Sequence, residues 1–311
     1  MNSDLLVYYG YPNSLNSATL GWSNEAVSQA MARYSLIVLG AGVEAPSHPD
    51  YANTQIIIPR IKAFNPAVQI YGYVSSVQSL ANFQTKVDQW DTLAVQGIFM
   101  DEAGYDYSVN RATFNTLVDY VHGKTTAKIC FVNAWNMDHI VGTANDPSYP
   151  NTTYNPGLVA SQLQATDWYL LESFTVNTTA YSGNNNYASA SDWKTRGDKA
   201  IAHRSTYGLK LASLNIIDNA NGSAQSLFNF CWNASLAYNL EAVGSSDTNY
   251  AASSAAVTFW NRPRVNLGVL GSAPAVVLDG LNSNRYLRYG RNGRAIIDFT
   301  TSTQTSTVEK W

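Results

Sequence analysis

Gly97-Ile98-Phe99-Met100-Asp101-Glu102 is an apolar run that ends in two adjacent carboxylates, followed by Ala103-Gly104-Tyr105-Asp106-Tyr107. A strand buried on both faces is apolar throughout, so acids at its last positions mark where the chain leaves the core. Carboxylates there are costly unless something pairs or uses them. Taken alone, the pair could also open a helix, where Asp and Glu complement exposed backbone N–H groups. A second run, Trp168-Tyr169-Leu170-Leu171-Glu172-Ser173-Phe174, is interrupted by an acid at the same point. Two strands ending in an acid are harder to explain as caps than one. The bland alternative for Glu172 is a buried glutamate bonded to a tyrosine. Two carboxyl groups on separate strands can act as proton donor and as nucleophile or base, the pair that glycoside hydrolysis requires. Such groups stand about 5–5.5 Å apart for retention and about 6.5–9.5 Å for inversion. Neighbouring residues of a strand point to opposite sides, so the partner of Asp101 is expected to be Glu172 rather than Glu102.

The elements that must position these acids are legible as a period. Short apolar runs recur about every 30 to 40 residues: Leu5–Tyr9, Leu36–Leu39, Val68–Tyr73, Gly97–Asp101, Lys128–Asn133, Trp168–Glu172, Lys210–Asn215 and Asn239–Val243. Helical patterns lie between them, among them Asn24–Tyr34, Leu80–Leu93, Arg111–Val121, Ala190–Tyr207 and Ala224–Tyr238. Eight strand–helix units predict a (β/α)8 TIM barrel over residues 1–265. A doubly wound sheet would carry a Gly-rich phosphate turn, and Gly40-Ala41-Gly42 is only a lone GxG. Asn284–Tyr289 and Arg294–Phe299 flank a turn and predict a C-terminal β-hairpin within residues 266–311. The Thr/Ser-rich end, closed by Trp311, is expected either to dock or to serve assembly into a virion or homo-oligomer.

In this architecture the active site lies at the C-terminal strand ends. Those ends offer Tyr8, Tyr9, Tyr11, Tyr73, Ser75, Asp101, Glu102, Asn133, Trp135, Glu172, Asn215 and Asp218, with Asp247 and Tyr250 after the eighth strand. Acids and amides grip hydroxyls, and aromatic faces pack against pyranose rings, so the mixture suits a sugar cleft. Tyr9, Tyr73, Asn133, Trp135 and Asn215 are the expected substrate contacts. Most of the other aromatics are expected to be ordinary core or surface residues. Asp106, Asp138 and Asp146 read as loop formers.

Composition narrows the classes further. The 311 residues are 45% hydrophobic and only 13% charged, against about 25% charged in typical domains. That texture points to an extracellular or virion-associated protein. A net charge of −3 without a basic cluster argues against nucleic acid, and no apolar window predicts membrane insertion. Met1-Asn2-Ser3-Asp4 has neither the basic start nor the apolar run of a signal peptide, which suggests a leaderless or mature chain, or release by another route. No cofactor is expected. The four His never approach one another in sequence, and neither Cys130 nor Cys231 has metal-ligand spacing, so no metal is expected. Both cysteines read as buried free thiols. Lys128 and Lys210 fall at strand beginnings, the wrong end for Schiff-base chemistry.

Four stretches resemble the barrel families of endo-α-1,4-polygalactosaminidases and spherulin-4-like enzymes: Tyr71-Gly72-Tyr73-Val74, Gly97–Glu102, the Asn133 strand end and Leu170-Leu171-Glu172-Ser173-Phe174. The likeness spans roughly residues 4 to 265, and a closing hairpin like that at 284–299 is similar to those of barrel glycosidases. The resemblance implies hydrolysis of an α-linked, galactosamine-containing polysaccharide by Asp101 and Glu172, with Glu102 as an assisting acid. The expectation is an endo-acting glycosidase on a microbial surface or matrix polysaccharide. The rival is a non-catalytic glycan-binding or structural module of a phage tail on the same fold, and it predicts that sugar binding survives removal of the acids.

Overall fold

The computed structural model describes residues 3–15, 23–176, 190–220, 222–248, 263, 267, 277–280, 282–299 and 305–310. Eight parallel strands close into one barrel: β1 (Ser3–Tyr8), β2 (Leu36–Leu39), β3 (Gln69–Ser75), β4 (Gly97–Asp101), β5 (Ile129–Asn133), β6 (Trp168–Glu172), β7 (Lys210–Ile216) and β8 (Ala242–Ser246). The ring is completed by β8 against β1, with Ser3 opposite Ala242. The expected (β/α)8 barrel is the observed one.

Alternation along each strand divides the core in two. Leu5, Val38, Tyr71, Phe99, Phe131 and Trp168 belong to a cluster that fills the barrel, while their neighbours Leu6, Ile37, Ile70, Ile98, Cys130 and Tyr169 pack outward. The interior is aromatic at the level below the mouth: Phe131 lies 5.2 Å from Tyr71, 5.3 Å from Phe99 and 5.8 Å from Trp168, centroid to centroid. Such a layer is a dry floor under whatever stands one step higher on the same strands.

The outer helices are α1 (Asn24–Met31), α2 (Tyr51–Phe64), α3 (Leu80–Thr92), α4 (Arg111–His122), the short α5 (Asn151–Tyr154), α6 (Ala190–Tyr207) and α7 (Ala224–Ala237). Ser23, Ser79 and Asn110 cap α1, α3 and α4 by accepting from Ala26, Asn82 and Thr113. Helix α2 escapes a sequence reading because Pro59 sits inside it, yet Ile57, Ile58 and Ile61 bury its inner face. Between β5 and β6 the strand–helix rhythm breaks. The chain there makes a 3-10 turn (Met137–His139) and only the four-residue α5. Arg111, buried at the start of α4, organises that loop by donating to the carbonyls of Val159 at 2.8 Å, His139 at 3.2 Å and Gly142 at 2.9 Å. The eighth strand begins three residues later than expected. Asn239 (φ 51°) closes α7, with its own N–H bonding Leu236 and that of Leu240 bonding Ser235. This left-handed helix stop consumes the residues read as the strand's start.

The C-terminal hairpin is present as β10 (Asn282–Gly290) and β11 (Gly293–Asp298), extended by β9 (Val277–Asp279) and β12 (Thr305–Lys310) to an antiparallel sheet of order β12-β11-β10-β9. Of the tail, Thr305–Lys310 pairs as an edge strand while Trp311 lies outside the described residues, and polar residues along β12 suit a solvent-facing edge. The sheet packs through Tyr286 and Phe299 on Trp193 of α6, 5.2 and 5.4 Å away, and through Phe299 on Phe230 of α7. Among the described residues no helix is long and apolar enough to cross a membrane. Cys130 and Cys231 are buried and free.

Candidate active site

The inward phase of β4, β5 and β6 carries Phe99, Phe131 and Trp168 to the aromatic floor. Two residues beyond Phe99 and Phe131 the same phase reaches Asp101 and Asn133. Phe131 pairs with Trp168 and Asn133 with Leu170, so Glu172 stands one inward step higher. β5 lies between β4 and β6, and Asn133 lies between the two acids. Its Nδ2 donates 2.9 Å to Asp101 Oδ1 and 2.9 Å to Glu172 Oε2. Two oxygens that share one nitrogen at that length are at most twice 2.9 Å, or 5.8 Å, apart. The reverse orientation of the amide would set its oxygen against two carboxylates, so the hydrogen bonds themselves fix which end faces inward.

In both acidic strands the next residue is left-handed without being glycine: Glu102 at φ 57° and Ser173 at φ 47°. Such a backbone is disfavoured for side-chain-bearing residues and persists where the surroundings enforce it. It turns the chain sharply as soon as the acid has been delivered to the mouth. The new course of β4 is held by bonds from Ala103 N–H to the Asn133 carbonyl and from Ser76 N–H to the Asp101 carbonyl. Glu102 swings sideways, where Ser75 Oγ donates to its carboxylate. It stands beside Asp101 without facing Glu172 as a mirror partner.

Burial over the aromatic floor, and then the charge of Glu172, push the Asp101 carboxyl up to about 6. Hydrogen bonds from Asn133, from the Tyr73 hydroxyl and from the Glu102 N–H oppose that rise. Tyr73 is driven upward by burial and by Asp101, so its phenol keeps its proton and donates. Tyr9 braces Tyr73 edge to face at 5.4 Å. The structure thus brings Asp101, Glu172, Glu102, Asn133, Tyr73 and Tyr9 into one mouth. Trp135 stands on the rim, 47% exposed, with the Arg196 guanidinium 4.2 Å over its ring.

Asn215 is not brought there. Ala212 and Leu214 take the inward phase of β7, and Asn215 faces out between strand and helix. It is fully buried, and its Oδ1 accepts from the backbone of Thr175 at 2.9 Å and from the Thr175 hydroxyl at 2.8 Å. Its place is that of a strut for the turn after β6. Tyr8 likewise points outward, its hydroxyl bonded to the Tyr11 carbonyl. Tyr250 lies outside the described residues.

Tyr107 was not singled out by its sequence position. It is half exposed, and after burial the charges of the nearby Glu102 and Asp101 are what raise its phenol. An aromatic six residues past an acidic strand end is the only signal that could have found it. Arg196 and Lys199 on α6 also reach the rim, and nothing in the local sequence marks them.

Among the described residues, His122, Cys130 and Asp167 bring potential metal-ligating atoms within 4.8 Å of one another. His122 ends α4, Cys130 lies at the start of β5 and Asp167 just before β6, at the end of the barrel opposite the acids. The Asp167 carboxylate already accepts from the Cys130 N–H at 2.8 Å, the Gln164 N–H at 2.7 Å and the His122 ring at 3.0 Å. Burial drives the Cys130 thiol well up. The group works as a staple that closes the barrel bottom.

No family model matches the chain, and no curated protein matches it. Solved structures do resemble it. AmyP in complex with maltotriose aligns at TM-score 0.51 and 11% identity over 94% of this chain and 86% of that one. The α-amylase of Geobacillus thermoleovorans complexed with acarbose aligns at 0.50 and 9% over 95% and 86%. Amy13B of Eubacterium rectale aligns at 0.51 and 8% over the same shares, 95% and 86%. At such identities the likeness is one of fold, and the alignments extend over nearly the whole chain.

Proposed function

We propose that the protein is a glycoside hydrolase that cleaves polysaccharide with Asp101 as proton donor and Glu172 as nucleophile. The observation that carries this reading is the single Asn133 amide donating to both carboxylates. An NH2 group directs its two hydrogens about 120° apart, which sets the acceptor oxygens about 5 Å from each other, within reach of the retaining spacing. Asp101, raised to about 6, holds a proton in mildly acidic solution and can give it to the glycosidic oxygen as that bond breaks. A Glu172 oxygen attacks the anomeric carbon and forms a glycosyl ester. Water then adds to that carbon, its proton returns to Asp101, and the ester bond breaks to restore Glu172. Glu102, anchored by Ser75, adds negative charge beside the developing oxocarbenium ion. Tyr9, Tyr73 and Trp135 supply aromatic surface for sugar rings.

Several further features support the reading. Saccharide ligands, maltotriose and acarbose, occupy two of the proteins that share the fold. The likeness of four stretches to polygalactosaminidases favours an α-linked galactosamine-containing polymer of a microbial surface or matrix. The low charge content suits work outside a cell or on a virion, and the exposed edge of β12 is where a second copy or a virion protein would add. The test is reducing-end release from a panel of polysaccharides, acetylated and de-acetylated galactosamine polymers included, by wild type and Asp101→Asn. Release by wild type alone supports the proposal. No release from any polymer, with glycan binding equal in both proteins, would replace it by a binding module on a barrel.

A further inference from the structure

An open pocket of about 210 Å³ lies on the outer side of β6, the strand that ends in Glu172. Its floor is the outward face of that strand, Tyr169 and Leu171. Its walls are Trp135 on one side and Asp192, Arg196 and Lys199 of α6 on the other. The space suits one pyranose ring and is small for anything larger. It is tied to the catalytic strand, because Arg196 Nη2 donates 2.7 Å to the Glu172 carbonyl and Nη1 reaches the Ser173 carbonyl at 3.4 Å. Trp135 stands two residues past Asn133, the last residue of β5. The pocket and Glu172 thus belong to one strand, joined through Arg196.

The charge of the pocket is unusual. Arg196 is half-buried, and among the described residues it enters no ion pair: its contacts are two carbonyl oxygens and the indole face of Trp135. Cations withdrawn from water are ordinarily matched by an anion. Lys199 directs its ammonium to Asp138 at 2.6 Å and to Asn136 at 2.9 Å, which engages two of its three donors. Asp138 is shared with His203, also at 2.6 Å. Lys199 is thus matched by Asp138, which leaves Arg196 as the pocket cation without an ion pair among the described residues, and Asp192 is the acid in the lining.

We infer that this pocket is a subsite for an acidic sugar, a pyranose bearing a carboxylate, which stacks on Trp135 while Arg196 and Lys199 receive its charge. The inference deepens the glycosidase reading and rests on it for the polymer: the substrate is a heteropolysaccharide with a uronate-type residue beside the cleaved linkage. Guanidinium geometry suits a planar carboxylate, and the rigid indole offers stacking area at little entropic cost.

The test measures binding, with no turnover needed. D-Galacturonate and D-galactose, identical but for the carboxylate, are titrated into wild type, Lys199→Met and Trp135→Ala by ligand-observed NMR. Unchanged unfolding midpoints serve as the fold control, and Lys199→Gln stands in if the methionine variant is unstable. The expected result is saturable galacturonate binding at least tenfold tighter than galactose, weakened about tenfold by each substitution. Equal binding of both sugars, no binding of either, or galacturonate binding indifferent to both substitutions overturns the subsite. Galacturonate binding here by a protein that cleaves no polymer would sink the hydrolase reading and leave the acid-sugar pocket standing, so the two failures are separable.

Discussion

Replacing Asp101 by asparagine should change the pH dependence of stability in a calculable way. The carboxyl sits at about 6 in the folded protein against 3.8 for an ordinary aspartate, a difference of about two pH units. Each unit corresponds to about 1.4 kcal/mol, so the folded state loses about 3 kcal/mol when it must ionise this group. The sign follows from which state binds the proton. Below about pH 4 both folded and unfolded chains are protonated at Asp101, and the penalty is absent. Between about pH 4 and 6 the unfolded chain releases the proton while the folded one keeps it, so stability falls as pH rises. Above about pH 6 the loss is complete. Asparagine cannot titrate, and the stability of the variant relative to wild type should therefore rise by about 3 kcal/mol from pH 4 to pH 7.5. Urea unfolding followed by tryptophan fluorescence at half-unit pH steps measures this directly, and titrating groups not coupled to Asp101 cancel in the difference. Glu172→Gln gives an internal check: with the neighbouring charge gone, the slope attributable to Asp101 should shrink without vanishing, because burial is the larger cause. A difference between wild type and Asp101→Asn that stays flat from pH 4 to 8 would refute the claim that a buried carboxyl stands beside a second one here.

Three other outcomes are expected. If Asp101 is the proton donor, kcat/KM on the polysaccharide identified should decline about tenfold per unit above about pH 6, and a plateau to pH 8 would remove it from that role. Arg111→Met fills the space of the guanidinium but strands the carbonyls of Val159, His139 and Gly142, so it should lower stability by at least about 3 kcal/mol in chemical denaturation; a cost under about 1 kcal/mol would mean that the β5–β6 loop is held by something else. Gly97→Ala would put a methyl 2.2 Å from the Ile129 carbonyl oxygen and 2.8 Å from the Tyr71 ring, prising β4 from β5, and should lower the unfolding free energy by about 1–3 kcal/mol in chemical denaturation; wild-type stability would contradict the strand spacing described here.

The strands that matter most were the easiest to read, and for a physical reason. β4 and β6 are buried on both faces, so Asp101 and Glu172 stand out against sequence that is otherwise apolar, and the observed strand limits agree with those expected. Elements whose determinants are not periodic were harder. Pro59 hides α2, the Asn239 turn delays β8, and the stretch between β5 and β6 is built around Arg111, a residue 18 positions before β5 begins. At the site the phase decided individual residues. Asn133 and Asn215 both sit at strand ends, but one inward and one outward phase made the first a bridge and the second a buried strut. That Asn133 would join both acids depends on the stagger between β5 and β6, which no single strand encodes. Arg196 reaches the mouth from a helix 24 residues beyond Glu172, a distance in sequence that leaves no local trace.

The central claim is that Asn133 holds two carboxyl groups close enough for double displacement. The most direct measurement is the anomeric configuration of the first product, read by proton NMR within minutes of mixing enzyme and a cleavable oligosaccharide. Oxygens no more than 5.8 Å apart leave no room for a water between acid and anomeric carbon, so the newly freed reducing end should carry the configuration of the linkage that was cut, before mutarotation. A product of the opposite configuration would mean that a water, and not Glu172, attacks the sugar, and would contradict the account.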